Sequence, residues 1–541
     1  MEFIKINNLN YKYPDKQESS VKDINLSLDK EEILLVLGKS GSGKSTLCKA
    51  LTGAVPYFYG GEISGEVKLY GENIENMPHT VRASNISMVF QDPEKQLLMN
   101  KVHREVAFGL SNIGVESKEI RRRVWETLEF IGITHLAFRD IKTLSGGEKQ
   151  KVALASALAY MPRCIVMDEP TSQLDPVASE DIINLVKKIN EDLGITFIVV
   201  EQRVDKWFSL ADKICYMEDG KIDFLGTKDD FYKKAKNERE LFLPDYLRLQ
   251  KLCKIQDYSL SIKQIRKLFR EKSKEFLQTK KSIETKLGET VIEIKNLSSD
   301  YEGLSVLKDI NFILKKSSIL GVMGENGAGK STLMKCIMNL KDYKGNIKIL
   351  GKDNKKVSLK DLSKYVAYVS QNPNDYISKD TVYEELKFTL ANHGIQDEKY
   401  IEDILKNLDI YNIKDQNPKD LSGGQRQRVA IATMLVLKPK VIILDEPTRG
   451  LDNKLKEDLG ELLLKLKKQG SSIIVITHDM NFNYTYCDEL MLLLNGEIVA
   501  SGTKDEIIKN SIFYSTNINK ILGGHMYSLK SVTSSMCGEK L

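Results

Sequence analysis

Three motifs occur twice in this chain, in one order and at one spacing. GKSGSGKST at 38–46 returns as GENGAGKST at 324–332, LSGGEKQ at 144–150 as LSGGQRQ at 421–427, and IVMDEPTSQLD at 165–175 as IILDEPTRGLD at 442–452. The interval from Ser145 to Asp168 is 23 residues, and so is that from Ser422 to Asp445. Chance does not give three matched motifs in matched order, so the chain is an internal duplication. Any fold assigned to one half must also suit the other, and 541 residues leave room for two such units and a connection.

Each half reads as strands alternating with helices. EILLVL at 32–37 runs into a glycine-rich turn and then a helix from Lys44, and ILGVM at 319–323 does the same ahead of Lys330. RCIVMD at 163–168 and KVIILD at 440–445 read as buried strands that end in an acid. Such alternation predicts a mainly parallel sheet with its site at the carboxyl ends of the strands. The expected organisation is a first domain at 1–228, a charged helical linker at 229–288, a second domain at 289–512 and a C-terminal tail at 513–541. Residues 231–290 carry 16 Lys and Arg against 8 Asp and Glu, read here as a solvated linker helix. The Ser- and Gly-rich tail beyond Gly523 reads as loosely ordered.

Composition narrows the function classes. Hydrophobic residues at 41% and charged residues at 29% suit a soluble globular protein, and a formal charge of +5 gives no argument for nucleic acid. No apolar run approaches the ~18 residues of a membrane span. The opening residues MEFIK turn polar at once, unlike a secretory leader, so a cytosolic chain or one held at a membrane by partners is expected. The seven cysteines form no CxxC pair and the six histidines are dispersed, which predicts free buried thiols and no structural metal site.

The motifs themselves carry chemistry. In GxxxxGKS the glycines Gly38, Gly41 and Gly43, with Ser40, and their counterparts Gly324, Gly327 and Gly329, with Asn326, let backbone N–H groups turn inward around phosphates. Lys44 and Lys330 would reach the β- and γ-phosphates, Ser45 and Ser331 would set a hydroxyl on Mg²⁺, and Thr46 and Thr332 follow them. Asp168 and Asp445 would hold Mg²⁺ through water, and the next residues, Glu169 and Glu446, are candidate general bases for attack of water on the γ-phosphate. Ser145 with Gly146 and Gly147, and Ser422 with Gly423 and Gly424, read as helix starts that permit close backbone approach.

Taken together, the order phosphate loop, Gln, LSGG, strand-Asp-Glu and His resembles that of the ATP-binding cassette family over about 1–228 and 289–512. The resemblance implies two tandem P-loop NTPase (RecA-like) α/β domains, each with an antiparallel β-subdomain and an α-helical signature subdomain. It implies ATP hydrolysis with Mg²⁺, the halves pairing head to tail within one chain. Lys44, Asp168 and Glu169 would then share one ATP with Ser422, Gly423 and Gly424, and Lys330, Asp445 and Glu446 the other with Ser145, Gly146 and Gly147. Tyr13 and Tyr301 match the aromatic that stacks on adenine. Gln91 and Gln371 match the glutamine that contacts Mg²⁺ and water. Asp175 and Asp452 match the acid that crosses to the other site. His478, in VITHD at 475–479, matches the switch histidine, but VVEQR at 199–203 puts Gln202 in that place. Gln donates a hydrogen bond without carrying charge, so unequal sites are expected, the Lys44 site being the slower.

The chain most resembles the fused, duplicated ATPase of energy-coupling factor transporters, on YFYGGEISGEV at 57–67, QDPEKQ at 91–96 and the partial QNPND at 371–375. This implies a peripheral place on the cytoplasmic side of the cell membrane, a transmembrane scaffold (T-type) subunit docked at about 92–104 and 372–384, and a separate substrate-capture membrane subunit, with no nucleic acid. Two alternatives stay open. One is the ATPase of another importer class, for sugars or peptides. The other is a soluble ribosome-associated twin-cassette ATPase, which the basic linker invites and the SQLD and RGLD sequences at 172–175 and 449–452 speak against.

Overall fold

The computed structural model describes residues 2–14, 16–255, 262–276, 288–301, 303–395, 398–421, 423–509, 511, 514–523 and 526–536. The chain divides into two compact units, Met1–Arg248 and Leu249–Leu541. Each unit contains one four-stranded and one six-stranded sheet, and the strand orders of the two units correspond.

In the first unit the six-stranded sheet runs Lys221–Thr227, Lys213–Glu218, Ile33–Gly38, Thr196–Val200, Cys164–Asp168, Ile86–Val89. All its pairings are parallel except the edge hairpin of Lys213–Glu218 with Lys221–Thr227. The second unit repeats the order with Glu497–Thr503, Glu489–Leu494, Ile319–Met323, Ser472–Ile476, Val441–Asp445 and Val366–Val369. The central strands are buried at every position, as strands covered on both faces must be. Their continuous apolar runs are thus the sequence signature of the sheet interior. Parallel register also sends the ends of four neighbouring strands to one edge.

The four-stranded antiparallel sheets consist of Val21–Asp29, Glu2–Lys12, Glu62–Leu69 and Glu72–Asn73 in one unit, and of Leu304–Lys315, Thr290–Tyr301, Lys344–Ile349 and Lys352–Asp353 in the other. One shared core joins the second of these to the parallel sheet: Ile292, Ile294 and Ile347 pack with Leu333, Ile337, Ile443 and Ile474. A helical layer completes each unit. Val102–Asn112 packs against Ser117–Ile131 and Gly146–Leu158, and Val382–Asn392 against Lys399–Asn407 and Gly423–Leu435. The fold expected from the sequence, two α/β units each with an antiparallel sheet and a helical signature layer, is therefore the fold found.

Two stretches are more packed than the sequence suggested. Part of the charged segment lies on the first unit: Phe231, Phe242 and Leu243 are buried, and the rings of Phe231 and Phe242 meet Tyr216. Its apolar residues, few but aromatic, outweigh its charge locally. The expected linker-helix stretch 262–275 falls within the helix Ile262–Phe276, whose Ile265 and Phe269 are buried, and 256–261 and 277–287 lie outside the described residues. In the expected tail 513–541, the helix Asn517–Leu522 packs against Ile262–Phe276 and buries Ile518 and Ile521. Beyond Gly523, the stretch that reads as loose, Val532 of the helix Leu529–Met536 is buried, and 524, 525 and 537–541 lie outside the described residues. Tyr484 donates to the Tyr514 carbonyl at 2.7 Å and stacks on Tyr527 at 5.6 Å. Composition averaged over the tail hid these few anchors.

Ile518→Ala is expected to destabilise the Leu249–Leu541 unit by about 3 kcal/mol, the scale for emptying a buried isoleucine site. Urea unfolding followed by hydrogen exchange would show a lower midpoint for that unit alone. An unchanged midpoint would mean that the tail does not contribute to its core.

Candidate functional site

The site in each unit forms where adjacent parallel strands end. Ile33–Gly38 pairs with Thr196–Val200, which pairs with Cys164–Asp168, which pairs with Ile86–Val89. The residues just beyond these ends are the phosphate loop, Gln202, Glu169 and Gln91. The same neighbours in the second unit bring the loop after Met323 together with His478, Glu446 and Gln371.

The phosphate loops are fixed by close backbone approach. Gly38 has φ 147° and an added Cβ would lie 2.3 Å from the Met217 carbonyl oxygen; Gly324 has φ 152° and its Cβ would lie 2.1 Å from that of Leu493. Only glycine fits either place. Each loop encloses a buried lysine. Lys44 Nζ donates to the carbonyls of Gly38 at 2.8 Å and Lys39 at 2.6 Å, and Lys330 Nζ to those of Gly324 at 2.8 Å and Glu325 at 2.7 Å. The helices Lys44–Leu51 and Lys330–Ile337 start at these lysines, so their positive ends face the same space.

Opposite each lysine stands a strand-end acid. Burial raises the Asp168 carboxyl above its ordinary value, against the opposing influence of the Ser45 hydrogen bond and the Lys44 charge. Asp445 is raised by burial in the same way, against a Ser331 hydrogen bond at 2.7 Å and the charge of Lys330. The glutamates that follow adopt left-handed backbone, Glu169 at φ 46° and Glu446 at φ 52°. A non-glycine residue held there stores strain on the order of 1–3 kcal/mol. The strain is matched in the two units, so it belongs to the arrangement and not to one loop.

Beyond this shared frame the two sites differ. In the first, two amides clasp the glutamate: Gln91 Nε2 donates to Glu169 Oε2 at 2.6 Å and Gln202 Nε2 to Oε1 at 2.7 Å. Burial pushes the Glu169 carboxyl up to about 7, aided by the charges of Glu201 and Asp168 and opposed by Lys44 and the Gln202 bond. In the second, His478 Nε2 lies 3.2 Å from Glu446 Oε1 and 3.0 Å from Asn326 Oδ1. Gln371 is exposed at the start of its loop.

The remaining sequence candidates fall into two groups. Tyr13 joins the first site, its hydroxyl 3.4 Å from Thr46 Oγ1, and Lys49 Nζ lies 5.7 Å from its ring centre. Tyr301 is 59% exposed, with Lys341 Nζ 4.5 Å over its ring. Ser145 caps the helix Gly146–Leu158 in a capping box with Glu148, and an added Cβ on Gly147 would come 2.8 Å from Ala178 Cβ. Gly424 likewise lies close to the Gly450 carbonyl oxygen, 3.3 Å from its would-be Cβ. These serine–glycine segments thus have a local packing reason of their own. Ser422 lies outside the described residues. Asp175 and Asp452 cap the helices Pro176–Leu193 and Asn453–Lys468, accepting from Ala178 N at 2.8 Å and Leu455 N at 3.0 Å.

Two contributors escaped the sequence reading. Tyr368 places its hydroxyl 3.4 Å from Asp445 Oδ2, where the corresponding strand residue of the first unit is Met88. Glu201, 1% exposed, sits beside Gln202. The available signal for Glu201 was an acid ending the apolar run at 196–200, where the repeat has Thr477.

The family model described as ABC transporter matches residues 21–172 and 307–449. The chain belongs to the ABC transporter family. Relatives match most of its length. An ABC transporter ATP-binding protein of Bacillus thuringiensis subsp. konkukian is 35% identical over 96% of this chain and 95% of its own length. One from Saccharolobus solfataricus is 35% identical over 95% of this chain and 96% of its own. One from Clostridium tetani is 43% identical over 78% of this chain and 95% of its own. A solved structure of cbiO1 from Clostridium perfringens, part of the ABC transporter complex cbiONQ, aligns with 47% of this chain and all of its own, at 30% identity and a TM-score of 0.40. The protein is therefore an ABC transporter ATPase with the family's ATP-binding domain in two copies.

In this ABC ATPase, Gly324→Ala is expected to remove one of two classes of nucleotide binding, weakening it more than about tenfold because the loop must shift. Titration with a fluorescent ATP analogue would show the other class retained. Two unaffected classes would show that the Gly324 loop holds no nucleotide.

Proposed function

We propose that this ATPase is the energising subunit of an energy-coupling factor type importer of a vitamin, vitamin precursor or metal ion. It would act peripherally at the cytoplasmic face of the cell membrane, bound to a transmembrane scaffold subunit and a substrate-capture subunit. The observation that carries this reading is the bond from Gln91 to Glu169. It ties the reacting centre directly to the segment 92–104, in which Leu98 is 68% exposed. A change at Glu169 therefore reaches an exposed apolar surface through one side chain. The sequences at 57–67 and 91–96 support the same reading. Among the described residues no helix is long and apolar enough to cross a membrane, so the membrane step falls to partners.

The reaction is phosphoryl transfer from ATP to water. Lys44 and Lys330 neutralise charge on the β- and γ-phosphates, and the loop N–H groups fix their position. Glu169 and Glu446 orient the attacking water and accept its proton. Gln202 and His478 each stand at their glutamate, where they would meet the γ-phosphate; Gln91 and Gln371 would contact the water. Tyr13 and Tyr301 would stack on the base. Following the family pattern, each ATP would also meet the serine and glycines of the other half's LSGG segment.

The residues present fit Mg²⁺. Ser331 Oγ and Asp445 Oδ2, 2.7 Å apart, are hard oxygen donors, and Asp168 Oδ1 is buried without a hydrogen-bond partner. Ser45, Asp168 and Gln91 would hold one ion, and Ser331, Asp445 and Gln371 the other. When bound, Mg²⁺ supplies charge neutralisation at the β- and γ-oxygens.

Glu446→Gln is expected to lower steady-state hydrolysis by at least about a hundredfold at its site while ATP binding persists. Glu169→Gln would remove a smaller share of total turnover. Equal losses from the two would contradict the unequal-site reading.

For the transport assignment, the tagged chain extracted in mild detergent should carry a polytopic scaffold and a second membrane protein, identified by mass spectrometry. Recovery with ribosomal proteins and no membrane protein would replace it with the ribosome-associated reading.

A further inference from the structure

The two units also differ at the residue before the switch position. In the second unit this is Thr477, whose hydroxyl bonds to Thr448 Oγ1 at 2.6 Å and accepts from Asp479 N at 3.1 Å. In the first it is Glu201, a buried carboxylate that gathers four donors. Its Oε2 accepts from Thr171 N at 3.1 Å and from the Thr171 hydroxyl. Its Oε1 accepts from Gln202 N at 2.9 Å and Arg203 N at 3.3 Å. Trp207 Nε1, 3.4 Å from Thr171 Oγ1, covers the cluster.

Thr171 lies two residues beyond Glu169, and Gln202 directly follows Glu201. One carboxylate thus spans the loop that carries the candidate base and the loop that carries the switch amide. Hydrogen bonds to a buried charge are stronger than those between neutral hydroxyls, and breaking one leaves a costly unpaired group.

We propose that Glu201 is a positioning residue. It fastens the Gln202 loop to the Glu169 loop and so keeps the Gln202 amide seated on the Glu169 carboxylate. The first site then has a switch loop tied to its glutamate loop by a carboxylate, whereas the corresponding tie in the second unit is the Thr477–Thr448 hydroxyl pair, Asp479 beside His478 pairing instead with Lys456. Both Glu201 oxygens are engaged by Thr171, Gln202 and Arg203, and the residue acts through Gln202. The proposal rests on the reading of Glu169 as the base.

The test uses the full chain carrying Glu446→Gln, so that the remaining hydrolysis reports the first site. Adding Glu169→Gln must abolish that remainder; if it does not, the reading of Glu169 fails whatever Glu201 does. With that control met, Glu201→Gln keeps the shape but turns one acceptor into a donor. It is expected to lower kcat by about tenfold while KM for ATP stays within about twofold, the scale for losing an orienting partner behind a reacting group. The double change Glu201→Thr with Gln202→His rebuilds the Thr477–His478 pair and is expected to recover more than about half of the background rate, whereas Glu201→Thr alone does not. A kcat for Glu201→Gln equal to its background would overturn the proposal. So would a loss matched by a rise in KM, or a double variant as slow as Glu201→Thr. If Glu201→Gln does not fold, the comparison of the double variant with Glu201→Thr decides.

Discussion

A buried lysine wrapped in carbonyl oxygens, facing a buried acid at the end of an apolar strand, is the constraint on which each unit turns. Charges of both kinds are expensive to bury unless paired or bonded. Here the loop carbonyls hold Lys44 and Lys330, and the loop serines bond to Asp168 and Asp445. That arrangement exists only if the glycine-rich turn and the strand-end acid come from strands that lie close in one sheet. The intervening strands, Thr196–Val200 and Ser472–Ile476, must then deliver the switch residue between them. The sheet order and the buried central strands meet this requirement.

The duplication keeps that frame and varies what stands around it. Glu169 is gripped by two neutral amides and crowded by a second buried carboxylate, while Glu446 faces an imidazole. An amide cannot take on charge as the reaction proceeds, and an imidazole can. On the proposed reading, the same chemistry would be set at two different electrostatic levels within one chain.

Much of this was legible beforehand, because phosphate loops, strand-end acids and the LSGG helix starts are local patterns with fixed spacing. The strand apolarity of 163–168 and 440–445 announced the buried sheet directly. What the sequence hid was contact made across the fold. Glu201 reads as one more acid until Thr171, Gln202 and Arg203 turn their donors toward it. Tyr368 reads as a strand aromatic until Asp445 comes beside it. The stretch beyond Gly523 reads as loose because its serines and glycines outnumber the packed Tyr527 and Val532. The capping role of Ser145 was half visible, since cap chemistry is local but the helix packing behind Gly147 is not, while the caps at Asp175 and Asp452 went unread.

Two hydrolytic sites of unequal speed in one chain can be resolved by rapid quench, with the wild-type chain mixed with two equivalents of radiolabelled ATP and Mg²⁺ and product counted over time. Two phases of equal amplitude are expected, one equivalent of ATP each, with rates separated by at least about tenfold, or roughly 1.4 kcal/mol of barrier. A single phase that consumes both equivalents at one rate would mean that the sites are equal.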